Sequence, residues 1–273
     1  MRLLLALSML MTVGCSSERI AGWYITRKID GYFDLTSEQK SELRASVDET
    51  IDLARRDELG RWISFMREVR QGLHDGLSEE KLATLQRHYD QRIDVAVHLL
   101  TPRVAPLLVQ LDDRQVGHFA KRVSDDLAKG YEDLQLPVEK RRAKLEKKAL
   151  ELVEDFVGDL SDEQEVAVRA LIRKLPNERD KQYQSAKDNL QHFTTFMATR
   201  PTVPALESEL YAMWEHRYDA LGVGHEREAR RAFQRTWLLS VYQLLTPEQR
   251  AHAEEELSDR IRSLKRYVLP ARS

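Results

Sequence analysis

Cysteine, glycine and proline are all scarce in this chain. One Cys, 11 Gly and 8 Pro stand among 273 residues. A single cysteine excludes an internal disulfide, so the fold has to be stabilised by packing alone. Few glycines and prolines mean few turns, and no run of residues alternates as a half-buried strand would. Because Leu, Ala, Glu, Arg and Lys are abundant as well, the composition predicts an all-α protein.

An excess of charge of either sign is also missing. Lys and Arg number 43 against 45 Asp and Glu, which gives a net charge of −2. A domain that binds nucleic acid usually carries a clear basic excess. We therefore expect no nucleic-acid partner.

The residue patterns of common active sites are absent. No two of the eight histidines stand three or four residues apart, and no Glu precedes a His by three residues. These spacings would place metal ligands on one helix face. The chain also has no Gly-rich phosphate loop and no Gly-x-Ser-x-Gly elbow. We expect no catalytic residue, no metal site, no cofactor and no enzymatic activity.

The longest apolar run lies at the N-terminus and ends at the lone cysteine. Residues 1–14 have a basic start and an apolar centre, and Gly14 precedes Cys15. The run is shorter than the roughly 20 residues of a membrane span, so it is typical of a secretory signal. The sequence Thr12-Val13-Gly14-Cys15 resembles the lipobox of bacterial lipoproteins, although Thr12 stands where that motif prefers Leu. The alternatives are a plain signal peptide or an ordinary buried cysteine.

The lipobox resemblance implies a location and a domain layout. It implies cleavage between Gly14 and Cys15, a lipid on Cys15, and anchoring to a membrane. Ser16 follows the cysteine where Asp would favour the inner membrane, so we expect the periplasmic face of the outer membrane. The expected layout is a signal over 1–14, a lipidated segment with a short packing helix over 15–34, and a helical body over 35–273.

Four phrases in the body share one spacing, with Thr, Ser or Asp three residues before Gln. This is the capping box, in which the first side chain accepts from an unpaired amide and the Gln side chain bonds back to the backbone. Each phrase therefore predicts a helix start, and Ser78 predicts another. The phrases are Leu35-Thr36-Ser37-Glu38-Gln39, Leu111-Asp112-Asp113-Arg114-Gln115, Leu160-Ser161-Asp162-Glu163-Gln164 and Leu245-Thr246-Pro247-Glu248-Gln249.

Apolar residues recur every three to four positions after these starts. We expect about ten amphipathic helices in an irregular multi-helix assembly. Because proline lacks an amide donor, Pro102 and Pro106 are expected to interrupt the chain. The clearest helices are predicted over residues 36–72, 78–99, 112–134, 138–157 and 161–174.

The four caps form two pairs along the chain. Position 36 pairs with 112 and position 161 with 246, at separations of 76 and 85 residues. One interpretation of the pairs is that two related helical halves meet near Pro137. The other interpretation, which we favour because the intervening residues match poorly, is that common cap chemistry recurs.

Two segments are candidate interaction surfaces. Trp23 and Tyr24 either pack on the body, which we favour, or lie at a lipid interface. The helix over 138–157 carries six bases within nine residues, which either bind phosphate, lipid headgroups or a partner, or form a solvated face. These bases are Lys140, Arg141, Arg142, Lys144, Lys147 and Lys148.

Two family resemblances bear on function. A lipobox followed by Tyr32-Phe33-Asp34-Leu35-Thr36-Ser37-Glu38-Gln39 resembles an uncharacterised family of proteobacterial all-helical lipoproteins. That likeness implies a class of protein and no mechanism. The expectation of a non-enzymatic structural or interaction protein with a periplasmic protein partner rests on Cys15 and on the balanced charge without catalytic motifs. The Leu-Thr-x-x-Gln starts at 35 and 245 resemble periplasmic chaperones of the Spy and CpxP type. This second likeness implies the alternative, a chaperone or envelope-stress protein.

Overall fold

The computed structural model describes residues 18–174, 178–216 and 227–270, and over these residues the protein is all-helical with no strand. The predicted fold class is confirmed. The signal segment and Cys15 lie outside the described residues. The helices are α1 (Glu18–Phe33), α2 (Ser37–Leu53), α3 (Leu59–Asp75), α4 (Glu79–Leu108), α5 (Asp113–Gly130), α6 (Val138–Val157), α7 (Asp162–Arg173), α8 (Arg179–Ala198), α9 (Val203–Glu215), α10 (Arg227–Leu244) and α11 (Pro247–Lys265).

All four predicted capping boxes are present, at the starts of α2, α5, α7 and α11. In each, the cap side chain accepts from the amide of the Gln, and the Gln side chain accepts from the amide of the cap. Ser78 caps α4 in the simpler way, by accepting from the amide of Lys81 at 3.2 Å. The helix starts are therefore determined by local sequence.

A short π-helical turn over Ala54–Glu58 joins α2 and α3 into one long rod. The amide of Leu59 bonds to the carbonyl of Ala54, five residues back, so the carbonyl of Arg55 loses its usual helical partner. The C-terminal tail supplies a replacement, because the amide of Leu269 donates to that carbonyl at 3.3 Å. The Arg55 side chain in turn donates to the carbonyl of Tyr267 at 2.7 Å.

The expected break at Pro102 and Pro106 is wrong, because α4 continues through both prolines to Leu108. An interior proline costs a helix about 3 kcal/mol. Burial offsets that cost here, since fully burying a Leu-sized side chain contributes about 1.5–3 kcal/mol. Ala105 and Leu108 are buried against Phe193, Met197 and Leu206 of α8 and α9.

Three apolar clusters form the core. The first joins α6, α7, α10 and α11, the second joins the end of α4 to α8 and α9, and the third joins α3 to α11. The second and third clusters each contain side chains from both sides of residue 137. In the third, Ile63 and Met66 pack on Leu257 and Ile261. The sub-boundary near Pro137 stays a prediction, and the core is continuous across it.

The capping glutamines meet in two pairs, and these are the pairs that their spacing along the chain suggested. We call Gln39 with Gln115 the first glutamine pair and Gln164 with Gln249 the second. In the first, the two amides bond to each other at 2.7 and 3.3 Å. In the second, the same two bonds measure 2.7 and 3.0 Å.

Each glutamine of a pair also reaches the backbone ahead of its partner's helix. In the first pair, Gln39 and Gln115 donate to the carbonyls of Gln110 and Asp34. In the second pair, the accepting carbonyls belong to Leu244 and Asp159. All four carbonyls lie two residues before a cap. Each amide group thus donates two bonds and accepts two, which uses its full capacity.

The substitution Gln115→Glu distinguishes the contribution of the first glutamine pair to stability from the contribution of the capping box. A carboxylate still accepts from the Asp112 amide, but it no longer donates to Asp34 or Gln39. Gln115 is only 1% exposed, so the substitution buries a carboxylate beside the Asp34 carbonyl and the Gln39 side-chain oxygen, which are themselves hydrogen-bond acceptors. We expect the free energy of unfolding to fall by roughly 2–4 kcal/mol in urea titrations. The control Gln191→Glu, at an exposed site of α8, should change it by less than about 0.5 kcal/mol. Equal losses in both variants would contradict the role of the pair.

The ion pair of Asp34, which lies two residues before the first cap, predicts that the stability of the fold depends on pH. Asp34 has a left-handed backbone with φ 51°, and its carboxylate pairs with Arg114. Hydrogen bonding from that guanidinium, with its charge, lowers the pKa of the Asp34 carboxyl. A lowered folded pKa contributes stability that is full above the unfolded value, about 3.9, and is lost as the pH falls through the folded value.

We therefore expect Asp34→Asn to lower the thermal midpoint at pH 7 and to match the wild type near pH 2. Asn tolerates the left-handed backbone, so the substitution removes charge without adding strain. Midpoints by circular dichroism across that range measure the effect. Glu49→Gln, at an exposed carboxylate, provides the control. A difference between Asp34→Asn and the wild type that persists at pH 2 would disprove the charge effect.

Candidate functional site

Helix α6 carries the basic residues that the sequence singled out, and both of its ends are fixed by the backbone. Pro137 precedes the first turn with an extended backbone, and Gly158 ends the helix with φ 78°, a value that favours glycine. The buried face includes Ala149, Val153 and Val157, which belong to the first core cluster. The predicted range of 138–157 is confirmed.

The six bases of α6 fall into separate environments. Lys140, Lys144 and Lys148 stand four residues apart on one exposed side of the helix, and none forms an ion pair with another described residue. We call these three residues the lysine stripe. Lys147 is also exposed and pairs with Glu151 at 3.8 Å. The stripe therefore keeps its charge available.

Arg141 and Arg142 are placed differently from the lysines. The Arg141 side chain is only 18% exposed and contacts Asp180 of α8 at 3.5 Å, so it serves packing between helices. Arg142 is exposed and lines an open cleft of about 330 Å³. The remaining lining residues are Glu139, Ala143, Glu146 and Arg173.

Glu146 is the buried charge of this cleft. Its side chain is 8% exposed. Arg173 of α7 donates to both of its oxygens, at 2.8 and 3.4 Å, and Arg169 lies 3.9 Å away. The hydrogen bond to Glu146 raises the pKa of the Arg173 guanidinium. The carboxylate is already paired, so Glu146 joins α6 to α7 at this cleft.

Glu146 is a structural residue that the run of bases along α6 does not reveal. Its position along the helix indicates this role. Glu146 lies three and four residues before the buried Ala149 and Leu150, so it shares their face of α6. A charged residue on an apolar stripe indicates a buried ion pair.

The side chains of α1 only partly follow expectation. Phe33 stacks on Phe119 of α5 with ring centroids 4.7 Å apart, and Tyr32 donates to Asp126 at 2.7 Å. That hydrogen bond raises the pKa of Tyr32. The helix therefore packs on the body as predicted. The favoured packing of Trp23 and Tyr24 is wrong, since these side chains are 52% and 55% exposed.

The described residues hold neither a cluster of metal ligands nor a helix that could span a membrane. No group of three or more His, Cys, Asp or Glu that could hold a metal ion occurs within residues 18–174, 178–216 and 227–270. Over the same residues, no helix is both long and apolar enough to cross a bilayer. Gly14 and Cys15 lie outside this part of the chain, so the lipidation site stays a prediction.

These observations define the class as an all-helical protein whose exposed charges lie on a fixed helical scaffold. A family model described as a family of unknown function, DUF6279, matches residues 31–219, which is well over half of the chain. The chain belongs to this family. No curated protein and no solved structure matches it.

Proposed function

We propose that this protein is a lipoprotein held at the periplasmic face of the outer membrane through Cys15. Its helical body is a non-enzymatic interaction module that recognises an acidic surface on a periplasmic protein. The lysine stripe of α6 is the observation that carries the recognition part of this proposal. The lipobox-like sequence Thr12-Val13-Gly14-Cys15 carries the anchoring part.

The geometry of the stripe suits a folded acidic partner. Lys140 and Lys148 are eight residues apart, which is about 12 Å along a helix at 1.5 Å per residue. Three ammonium groups over that length attract a complementary acidic surface, and such charges raise association rates and specificity more than affinity. Because α6 is buried along its other face, the lysines are held in a fixed relative register.

A chaperone of the Spy and CpxP type is less well supported. A holdase needs exposed apolar surface beside its charges to bind unfolded clients. Along α6 the exposed large apolar side chain is Val138, and no exposed Leu, Met or aromatic residue accompanies the lysine stripe within the described part of that helix. A mixed-charge helix favours one folded partner over many unfolded ones.

Anchoring is tested at the cysteine. We expect the wild-type protein to incorporate labelled palmitate and to fractionate with outer membranes, because two or more acyl chains give stable attachment. Cys15→Ala removes the acceptor thiol, so we expect no label and either a soluble or an uncleaved product. The control is a glycine substitution in α1. Gly22→Ala is unsuitable, because a Cβ there would clash with Asp48. Gly31→Ala places its Cβ in open space, so this variant should fractionate as the wild type does. Unlabelled wild-type protein would disprove the anchoring proposal.

Recognition is tested by a photo-crosslinker at exposed Ala143, between two stripe lysines. We expect one stoichiometric adduct in cells. Lys140→Gln/Lys144→Gln/Lys148→Gln should abolish it, because three charges that face the acidic partner are lost. The matched control, Lys121→Gln/Lys129→Gln/Lys181→Gln, removes three exposed lysines from other helices and should keep the adduct. A broad ladder of adducts would support the chaperone instead, and an adduct that survives in the stripe variant would disprove the proposed interface.

A further inference from the structure

The outward side of α1 has an unusual composition. Among its described side chains, from Gly22 on, the exposed positions are 23, 24, 27, 28 and 31, which share one helical face. This face consists of Trp23, Tyr24, Arg27, Lys28 and Gly31. It holds two aromatic rings and two cations, and no carboxylate. We call these four side chains the α1 face.

Packing on two sides fixes this face toward the exterior. Gly22 lies so close to Arg44 and Asp48 of α2 that a Cβ would clash with the Asp48 carboxylate. At the other end of α1, Phe33 stacks on Phe119 of α5. Both ends of α1 thus pack on the body through other sides of the helix, and Trp23 lies on the outward side. The exposure of the two rings is therefore a property of the fold.

The nearby acids are already paired, so the α1 face keeps its positive charge. Asp30 contacts Lys40 at 3.1 Å, and Asp48 contacts Arg44 at 2.8 Å. The cations on the face lie against the rings instead. The Arg27 guanidinium is 5.2 Å from the centre of the Trp23 ring, and the Lys28 ammonium is 5.9 Å from that of Tyr24.

Each of these groups suits the boundary between lipid and water. Trp and Tyr concentrate at headgroup level, because one part of the ring system is apolar and another part forms hydrogen bonds. Arg and Lys place their apolar stems along such rings and their charges on lipid phosphates. A protein partner that matched this face would have to be both acidic and apolar, whereas an anionic bilayer surface presents both properties at once.

We propose that the α1 face lies on the membrane surface, with Trp23 and Tyr24 at headgroup level and Arg27 and Lys28 on anionic lipid phosphates. This rests on the proposed anchoring at Cys15. Trp23 follows Cys15 by eight residues, which span at most about 28 Å when fully extended. An anchored chain thus keeps α1 close to the bilayer, and contact through this face sets the orientation of the whole body.

The experiment supplies the anchor chemically, so that it does not depend on lipidation in the cell. Cys15 is the lone cysteine, and it can be coupled to a maleimide phospholipid in phosphatidylcholine/phosphatidylglycerol vesicles. The chain that begins at Cys15 keeps every residue of the three core clusters, and circular dichroism verifies its fold. Subtracting the emission of Trp23→Phe from that of the wild type isolates the signal of Trp23.

We expect the isolated Trp23 emission to shift to the blue on anchoring and to lose most of its intensity when the lipid chains are brominated near the headgroup. Arg27→Gln/Lys28→Gln should reverse much of this on anionic vesicles, since each surface base contributes about a fivefold preference for such a membrane. Val166→Trp places a ring at an exposed site of α7 and should stay unquenched.

Two results would overturn the proposal. Trp23 emission unchanged by brominated lipid would mean that the face stays in water, as expected if it binds a protein. Equal quenching of Trp23 and of the Val166→Trp ring would mean that the body meets the membrane without a preferred face. A failure of palmitate labelling in cells, by contrast, would disprove the proposed anchoring and leave these vesicle results standing.

Discussion

The structure depends most on one interaction, the mutual hydrogen bonding of two glutamine side chains that cap helices. A primary amide has two donors and two acceptor sites, and in each glutamine pair all four are used. One of its acceptor sites bonds to the cap amide at the start of its own helix. Its other bonds go to the partner glutamine and to the backbone carbonyl ahead of the partner's helix. Local helix initiation and long-range helix pairing are thereby carried by the same side chain.

The same arrangement occurs in the first and second glutamine pairs. Each pair joins helix starts about eighty residues apart, and each glutamine reaches the carbonyl two residues before the opposite cap. Two related halves stay a prediction. The core is continuous across the expected sub-boundary, because α11 packs its Leu257 and Ile261 on α3.

Much of this architecture was predictable, because capping is a local interaction. The cap at Thr36 and its glutamine lie within four residues, so their hydrogen bonds depend on nothing distant. The course of α4 was not predictable in this way. Pro102 weakens a helix locally, and the burial of Ala105 and Leu108 against α8 and α9, which are distant in sequence, offsets that cost. The exposure of Trp23 likewise follows from which side of α1 packs on the body, and no local pattern encodes that choice.

On the candidate surfaces too, local sequence predicts some features, and others depend on residues distant in the chain. The range of α6 and the presence of its bases followed from sequence, but the separation of Arg141 from the lysine stripe required the position of Asp180 on α8. Glu146 was missed because its partner, Arg173, lies 27 residues away on a different helix. Charge counts along one helix cannot distinguish an available cation from a paired one.

The π-helical turn between α2 and α3 has a consequence for biosynthesis. Its open carbonyl at Arg55 is filled by Leu269, and the Arg55 side chain bonds to Tyr267, which is 212 residues away. Contacts of such separation close late, because synthesis runs from the N-terminus and supplies Tyr267 and Leu269 long after Arg55. A chain truncated before these two residues therefore carries an unfilled backbone acceptor in the turn between α2 and α3.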